Sequence, residues 1–290
     1  PFNPSWPDSL NTLKSFDNTS GFWVKMNAAA SMSLTGSALD VSAKTISLKA
    51  GWNNIGYTPA TAASIRTVLA TALADGKIER IINSKGNFNP ATPDVLNSLK
   101  IMTPGEGYWV KANAATTIAY DKITTATLSS RKSRAVMFAA NSALENFGEP
   151  VVYPNTPMSL YVEVQIDSKT VSDGDIVAAY VGDELRGKQT VVIYDGKAIA
   201  NLVVNVASNG EKIAFKVWDA SVKRLYTATT TINAEIGGEP YSYPDNLLLV
   251  NAQTATGGFA LWTSKNGLSG DNANALATPF NDGITNIEKF

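Results

Sequence analysis

The sequence predicts a mainly β, multidomain protein in which small α+β repeats precede an antiparallel β-sandwich. Three observations predict it. Peptides near the start recur at a fixed offset, period-2 alternation between Gly-containing turns fills the middle of the chain, and helical periodicity is confined to short stretches.

The repeat is read from matched pairs. "FNPSWPD" from Phe2 returns as "FNPATPD" from Phe88, "LNTLK" from Leu10 as "LNSLK" from Leu96, and "GFWVKMNAA" from Gly21 as "GYWVKANAA" from Gly107. The offset is 86 in every case, without a gap, as tandem duplication produces. The second copy extends backwards through "TISLKAGWNNIGYT" (Thr45–Thr58), and the first has no such opening half. Either the sequence is a fragment, as its Pro1 start without Met or signal peptide suggests, or another molecule supplies the missing half by strand donation or swapping.

The fuller unit divides into recognisable elements. "TISLKAGWNNIGY" alternates around a Gly, as a kinked strand would. "AASIRTVLATALADG" sets Ile65, Val68, Leu69 and Leu73 on one helical face, with Gly76 placed to close the C-terminus. "KIERIINSKGNF" is a strand entering a turn. "TPDVLNSLK" is a short helix with Thr92 as N-cap, Pro93 at the first helical position, and Leu96 and Leu99 inward. "GYWVKANAATTIAYD" supplies a closing strand pair.

These readings give five segments. Residues 1–36 are the C-terminal half of a truncated repeat and 37–121 a full one. Residues 122–148, with Arg131, Lys132 and Arg134 between Ser/Thr-rich flanks, form a solvated, protease-sensitive linker. Over 149–252, "MSLYVEVQI" puts Leu160, Val162, Val164 and Ile166 on one face, with Tyr161, Glu163 and Gln165 on the other. Asp195–Gly196 and Asn209–Gly210 are hairpin signals, and about seven short strands indicate the sandwich. Residues 253–290 hold a short amphipathic helix (Phe259, Leu261, Trp262) and an Asn/Asp/Gly-rich tail.

Composition narrows the function classes. Among 290 residues there is no Cys and no His, and 24 basic against 25 acidic side chains leave a net charge of −1. Disulfide frames, thiolate sites, Ser-His and Cys-His nucleophile systems and most zinc sites are removed. A neutral chain has no electrostatic footprint for nucleic acid. No apolar run reaches the length of a membrane span, so no membrane insertion is expected. Carboxylate chemistry and oxygen-ligated calcium survive.

"AGWNNIGY" followed by "GYWVK" is similar to a repeat of large secreted and cell-surface proteins of Gram-negative bacteria. "GDIVAAYVGDELRG…GEKIAFKVWDA" resembles a β-sandwich module of the same kinds of protein. "NGLSGDNANALATPFNDGITNIEKF" looks like a degenerate dockerin- or thrombospondin-3-like segment. Together they cover most of the chain and imply secretion or surface display, hence an extracellular or cell-surface location. They imply no reaction.

Candidate sites follow from the exposed faces. In the repeated strand Trp109 and Lys111 share one side and Tyr108 and Val110 the other; Trp23 and Lys25 correspond to the first pair. Trp23 and Trp109 are thus candidate platforms for a sugar ring, with Lys111 donating to a hydroxyl. The competing reading buries the Tyr/Phe–Val face and leaves each Trp half-covered by its own unit's helix, with Lys snorkelling alongside. Trp52, flanked by Gly51 and Gly56, reads as core, and Trp218 as a sandwich-edge core residue. "FNDGITNIEKF" invites comparison with a calcium loop, but with Gly283 in the glycine position a cationic Lys289 falls on the twelfth place. Asp282, Asn286 and Glu288 are the oxygens it offers, so calcium is the one cofactor left open. "VSDGD" at Val171–Asp175 is read as a turn, with calcium the other choice.

The expected function is a non-catalytic structural or adhesive segment of a bacterial extracellular protein, able to associate with copies of itself or with neighbouring modules. The alternative is a carbohydrate-binding module train of a secreted glycan-degrading enzyme.

Overall fold

The computed structural model describes residues 2–17, 19–24, 44–121, 147–253, 262, 266–268, 270–273, 277–280 and 282–289. Residues 122–146 of the expected linker, Lys25, and Phe259 and Leu261 of the expected C-terminal helix lie outside these residues. Among the described residues no helix is long and apolar enough to cross a membrane.

The repeat unit contributes β1 (Thr45–Leu48), β2 (Gly51–Gly56), β3 (Ala63–Ser64), β4 (Ile78–Ile82), β5 (Asn87–Phe88), β6 (Ile101–Met102), β7 (Gly107–Ala112) and β8 (Thr116–Ala119). Gly51, at φ +87°, turns "TISLKAGWNNIGY" so sharply that its two halves join different sheets. β1 pairs with β8, while β2 enters the order β2-β7-β4-β5. The closing strands follow the same division: β7 and β8 are consecutive but do not pair with each other. Helices α1 (Ile65–Val68) and α2 (Ala70–Ala74) are separated by Leu69, whose φ of −123° breaks the run. Ile65, Val68 and Leu69 still point inward, and Gly76 closes the second helix with its N–H on Leu73 O. Their side chains meet Ile55, Ile81, Tyr108 and Val110 in one core.

The expected helix at "TPDVLNSLK" is a single 3-10 turn, Asp94–Leu96, with Pro93 rather than Thr92 before it. The Thr92 hydroxyl is instead spent on Tyr161, 3.0 Å away, so tertiary structure takes the capping group. The first copy repeats this geometry residue for residue. It has a 3-10 turn at Asp8–Leu10, and Asn3 N donates to Asn11 Oδ1 at 2.7 Å where Asn89 N donates to Asn97 Oδ1 at 2.8 Å. The duplication is therefore structural as well as textual.

Residues beyond 147 supply β9 (Met158–Ile166), β10 (Lys169–Thr170), β11 (Ile176–Val181), β12 (Glu184–Thr190), β13 (Val192–Tyr194), β14 (Lys197–Val204), β15 (Lys212–Asp219), β16 (Arg224–Asn233) and β17 (Leu248–Gln253). They form one path, β12-β11-β15-β16-β17-β9-β14-β13, with β10 paired to β9. Pairing is antiparallel except between β17 and β9, which run parallel. The path curls until β14 returns to β12, where Asn205 N donates to Arg186 O at 2.8 Å. Gly187 permits this closure, because a Cβ there would lie 1.9 Å from Val203 O. Apolar side chains of the inner faces fill the core, Leu160, Val162, Val164, Phe215 and Val217 among them.

Asp195–Gly196 forms the expected hairpin, both residues at positive φ, between β13 and β14. Asn209–Gly210 does not, since β14 and β15 are not neighbours. The turn carries a crossover, stabilised by Glu211 accepting from Ala207 N and Ser208 N.

Candidate functional site

Three surfaces hold the residues singled out above. The first is the outer face of the repeat sheet, where β2, β4 and β7 set Trp52, Arg80 and Lys111 side by side. This face meets the loop before Tyr241. Arg80 Nε lies 2.5 Å from Glu239 Oε1, and Lys111 Nζ donates to Glu239 Oε2 at 2.8 Å. Lys111 also lies 3.6 Å from Glu79 Oε2 and 5.8 Å from the centre of the Trp52 ring. Trp52 Nε1 donates to Gly237 O at 3.2 Å, so the indole packs on Gly237 beyond its own unit.

Alongside runs a row of buried polar groups. Asn87 Nδ2 donates to Asn201 Oδ1 at 2.8 Å, Asn201 Nδ2 donates to Tyr161 Oη at 3.1 Å, and Tyr161 Oη meets Thr92 Oγ1. Burial pushes the Tyr161 phenol above its ordinary value. Leu96, Tyr161 and Ile199 close the apolar part of the seam. Tyr161 was expected on the polar side of β9. That side is buried because the repeat unit covers it.

Sequence reasoning placed none of Arg80, Glu239, Asn87 and Asn201 in a site. One signal was present: Asn201 interrupts the apolar run "AIANLVV", and such an Asn is retained when a partner satisfies it. Lys111, expected beside a sugar, is occupied by Glu239.

The second surface joins the two copies of the pentapeptide. Thr19 O accepts from Gly56 N at 2.9 Å, and Ser20 bridges to Ile55, seating the first copy on the free edge of β2. Gly21 is required there, because a Cβ would fall 1.8 Å from Asn54 Oδ1. Trp23 and Trp109 then line one cleft of about 160 Å³ with Phe22, Asn54, Asn83 and Glu106. Trp23 is exposed and Trp109 half-buried. Trp109 lies on the sheet face opposite its own unit's helices, where it shares the cleft with Phe22 and Trp23 of the first copy. Lys111 lies outside this cleft.

The third surface is the C-terminal segment. Lys289 Nζ sits 2.5 Å from Asp282 Oδ2 and holds that carboxyl below the usual range. The positive charge beside Asp282 is thus the chain's own. Asn286 is buried in the helical turn Asn286–Lys289 and donates to Asn272 O at 2.8 Å. Glu288 lies in the same turn. In the "VSDGD" turn, Asp175 accepts from Ser172 N and Ala220 N, which ties two loops together.

A further charge cluster is structural. Arg186 is buried, makes a bidentate contact to Glu211 at 2.9 and 3.2 Å, and lies over the Tyr153 ring. Trp218, on the interior strand β15 and not at an edge, meets Phe147 edge-on at 6.2 Å.

No protein-family model matches the chain, and neither does any curated protein or solved structure.

Proposed function

We propose that this chain is a non-catalytic structural or adhesive segment of a bacterial extracellular or cell-surface protein, in which an α+β repeat is clamped onto a β-sandwich. One observation carries the reading: the buried seam from Arg80, Lys111 and Glu239 to Asn87, Asn201 and Tyr161. Desolvated charges and amides are costly unless each is paired, so such a seam fits two modules that work as one body. The charged clusters are spent on joining elements, as a load-bearing spacer needs. The resemblance of "AGWNNIGY…GYWVK" and "GDIVAAYVGDELRG" to modules of secreted and surface proteins supports the location. Single-molecule force extension tests the reading. The repeat and the sandwich should yield in one event, and Glu239→Ala should split it into two. Two events in the unmodified chain would refute it.

Glycan binding is a second reading, favoured by the cleft that brings Trp23 and Trp109 together. Trp and Asn side chains around a shallow cleft suit a neutral sugar ring. Titration of neutral oligosaccharides against Trp fluorescence tests it: binding lost in Trp23→Ala supports the reading, and an unchanged response refutes it.

A further inference from the structure

The Trp23–Trp109 cleft takes its two walls from two repeats. The first copy brings Phe22 and Trp23, and the second brings Asn83, Lys85, Glu106 and Trp109. The cleft is therefore formed by the seating of the first copy on the free edge of β2. That seat is made at Thr19 and Ser20, where Gly56 N donates to Thr19 O at 2.9 Å and Ser20 bridges to Ile55. It depends on Gly56, because a Cβ there would lie 2.8 Å from Ser20 O, a backbone atom that cannot swing aside. Gly56 itself does not line the cleft. Just past the seat, Trp23 is 43% and Val24 64% exposed, so this wall is held more weakly than the core strand it faces.

The polar groups of the second wall suit a neutral ligand. Tyr108 Oη donates to Glu106 Oε2 at 2.8 Å and so fixes the carboxylate. Lys85 lines the same cleft, and one charge of each sign gives no advantage to a ligand with net charge. Hydroxyls serve both, donating to the carboxylate and accepting from the ammonium, while the C–H face of a sugar ring suits the indoles.

We infer that the cleft is a junction site for one ring of a neutral glycan, and that ligand binding and docking of the two repeats are a single linked equilibrium. A ligand that touches both walls binds the docked state and not the undocked one, so it stabilises docking by mass action. Reciprocally, whatever undocks the first copy lowers the affinity. This inference rests on the glycan reading of the cleft and names the contact that regulates it.

The test titrates the full chain with methyl β-glucoside, methyl β-galactoside and methyl α-mannoside, followed by Trp fluorescence. At least one should bind saturably. Trp23→Ala should weaken that binding by about tenfold, through loss of one stacking ring. Gly56→Ala touches no ligand atom, yet it should weaken binding by about as much, because the first wall leaves. The double variant should be no weaker than either single one, since each removes the same wall. Losses that add, to about a hundredfold, would overturn the inference, and so would parent-like binding by Gly56→Ala. Hydrogen exchange in the unmodified chain gives a second measurement, because the Gly56 amide reports docking through its bond to Thr19 O. Ligand at about ten times its dissociation constant should slow exchange at Gly56 about tenfold, and unchanged exchange would overturn the inference. Absence of saturable binding by all three sugars removes the glycan reading and this inference together. Binding with no link to docking removes this inference alone.

Discussion

Glu239 reaches two cations of the repeat unit from the far side of the seam, and its removal is the sharpest perturbation available. The Arg80 side chain is 9% exposed and that of Glu239 17%, so neither is well solvated. Breaking a buried ion pair by removing one partner typically costs about 3–5 kcal/mol, because the remaining charge stays buried. Glu239→Gln keeps the shape and some hydrogen bonding, and Lys111 can turn to Glu79, which argues for the low end, about 3 kcal/mol. Arg80→Met should cost a similar amount. In the double variant neither charge is stranded, so the losses should fall short of additive by about 2 kcal/mol. Urea unfolding followed in parallel by Trp fluorescence and far-ultraviolet dichroism measures all three. Coincident transitions in the parent would establish that one free energy describes it. A coupling energy below about 0.5 kcal/mol would refute the reasoning, since it is the value of independent sites.

Met102→Ala should destabilise by about 2–5 kcal/mol as a core truncation, whereas Phe16→Ala at the equivalent exposed position should leave the thermal midpoint almost unchanged. Gly187→Ala forces a Cβ to within 1.9 Å of Val203 O and should cost about 1–3 kcal/mol or more, read from urea midpoints; an unchanged midpoint would show that β12 and β14 are not in contact. Stability should also depend on acid through Glu211, whose carboxyl is held below 4.5 chiefly by its hydrogen bonds from Arg186. A depressed native value favours folding above the unfolded value, so this contribution is full above about pH 4.5 and disappears as pH falls through the lower native value. Glu211→Gln should flatten that limb in unfolding curves taken from pH 6 to 3.

Much of the fold was legible because strands write their burial locally. The alternation of "GYWVK" put Tyr108 and Val110 on one side of the strand, and that side is core; the Gly in "KAGWNN" marked the kink, and Asp195–Gly196 marked a hairpin. What the sequence concealed depends on surfaces meeting at long range. Lys111 and Glu239 are 128 residues apart and Asn87 and Asn201 114 apart, so no local period links them. Tyr161 looked like an outward residue because alternation assigns a side but cannot say what covers it. Thr92 illustrates the same limit at a helix start: a good capping residue was diverted to a tertiary hydrogen bond. Asn209–Gly210 is a turn by any local rule, yet which strands it joins is decided by the parallel pairing of β17 with β9 and the curl of the whole sheet. The Trp23–Trp109 cleft was half legible, in that both residues were singled out but their convergence on one cleft was not.

The proposed spacer requires the repeat unit and the sandwich to form one rigid body through the seam at Glu239 and Tyr161. Residual dipolar couplings of backbone amides in residues 44–121 and 147–253, measured in one alignment medium, test it most directly. One rigid body gives a single alignment tensor that fits both sets. Two tensors of different magnitude or orientation would contradict it.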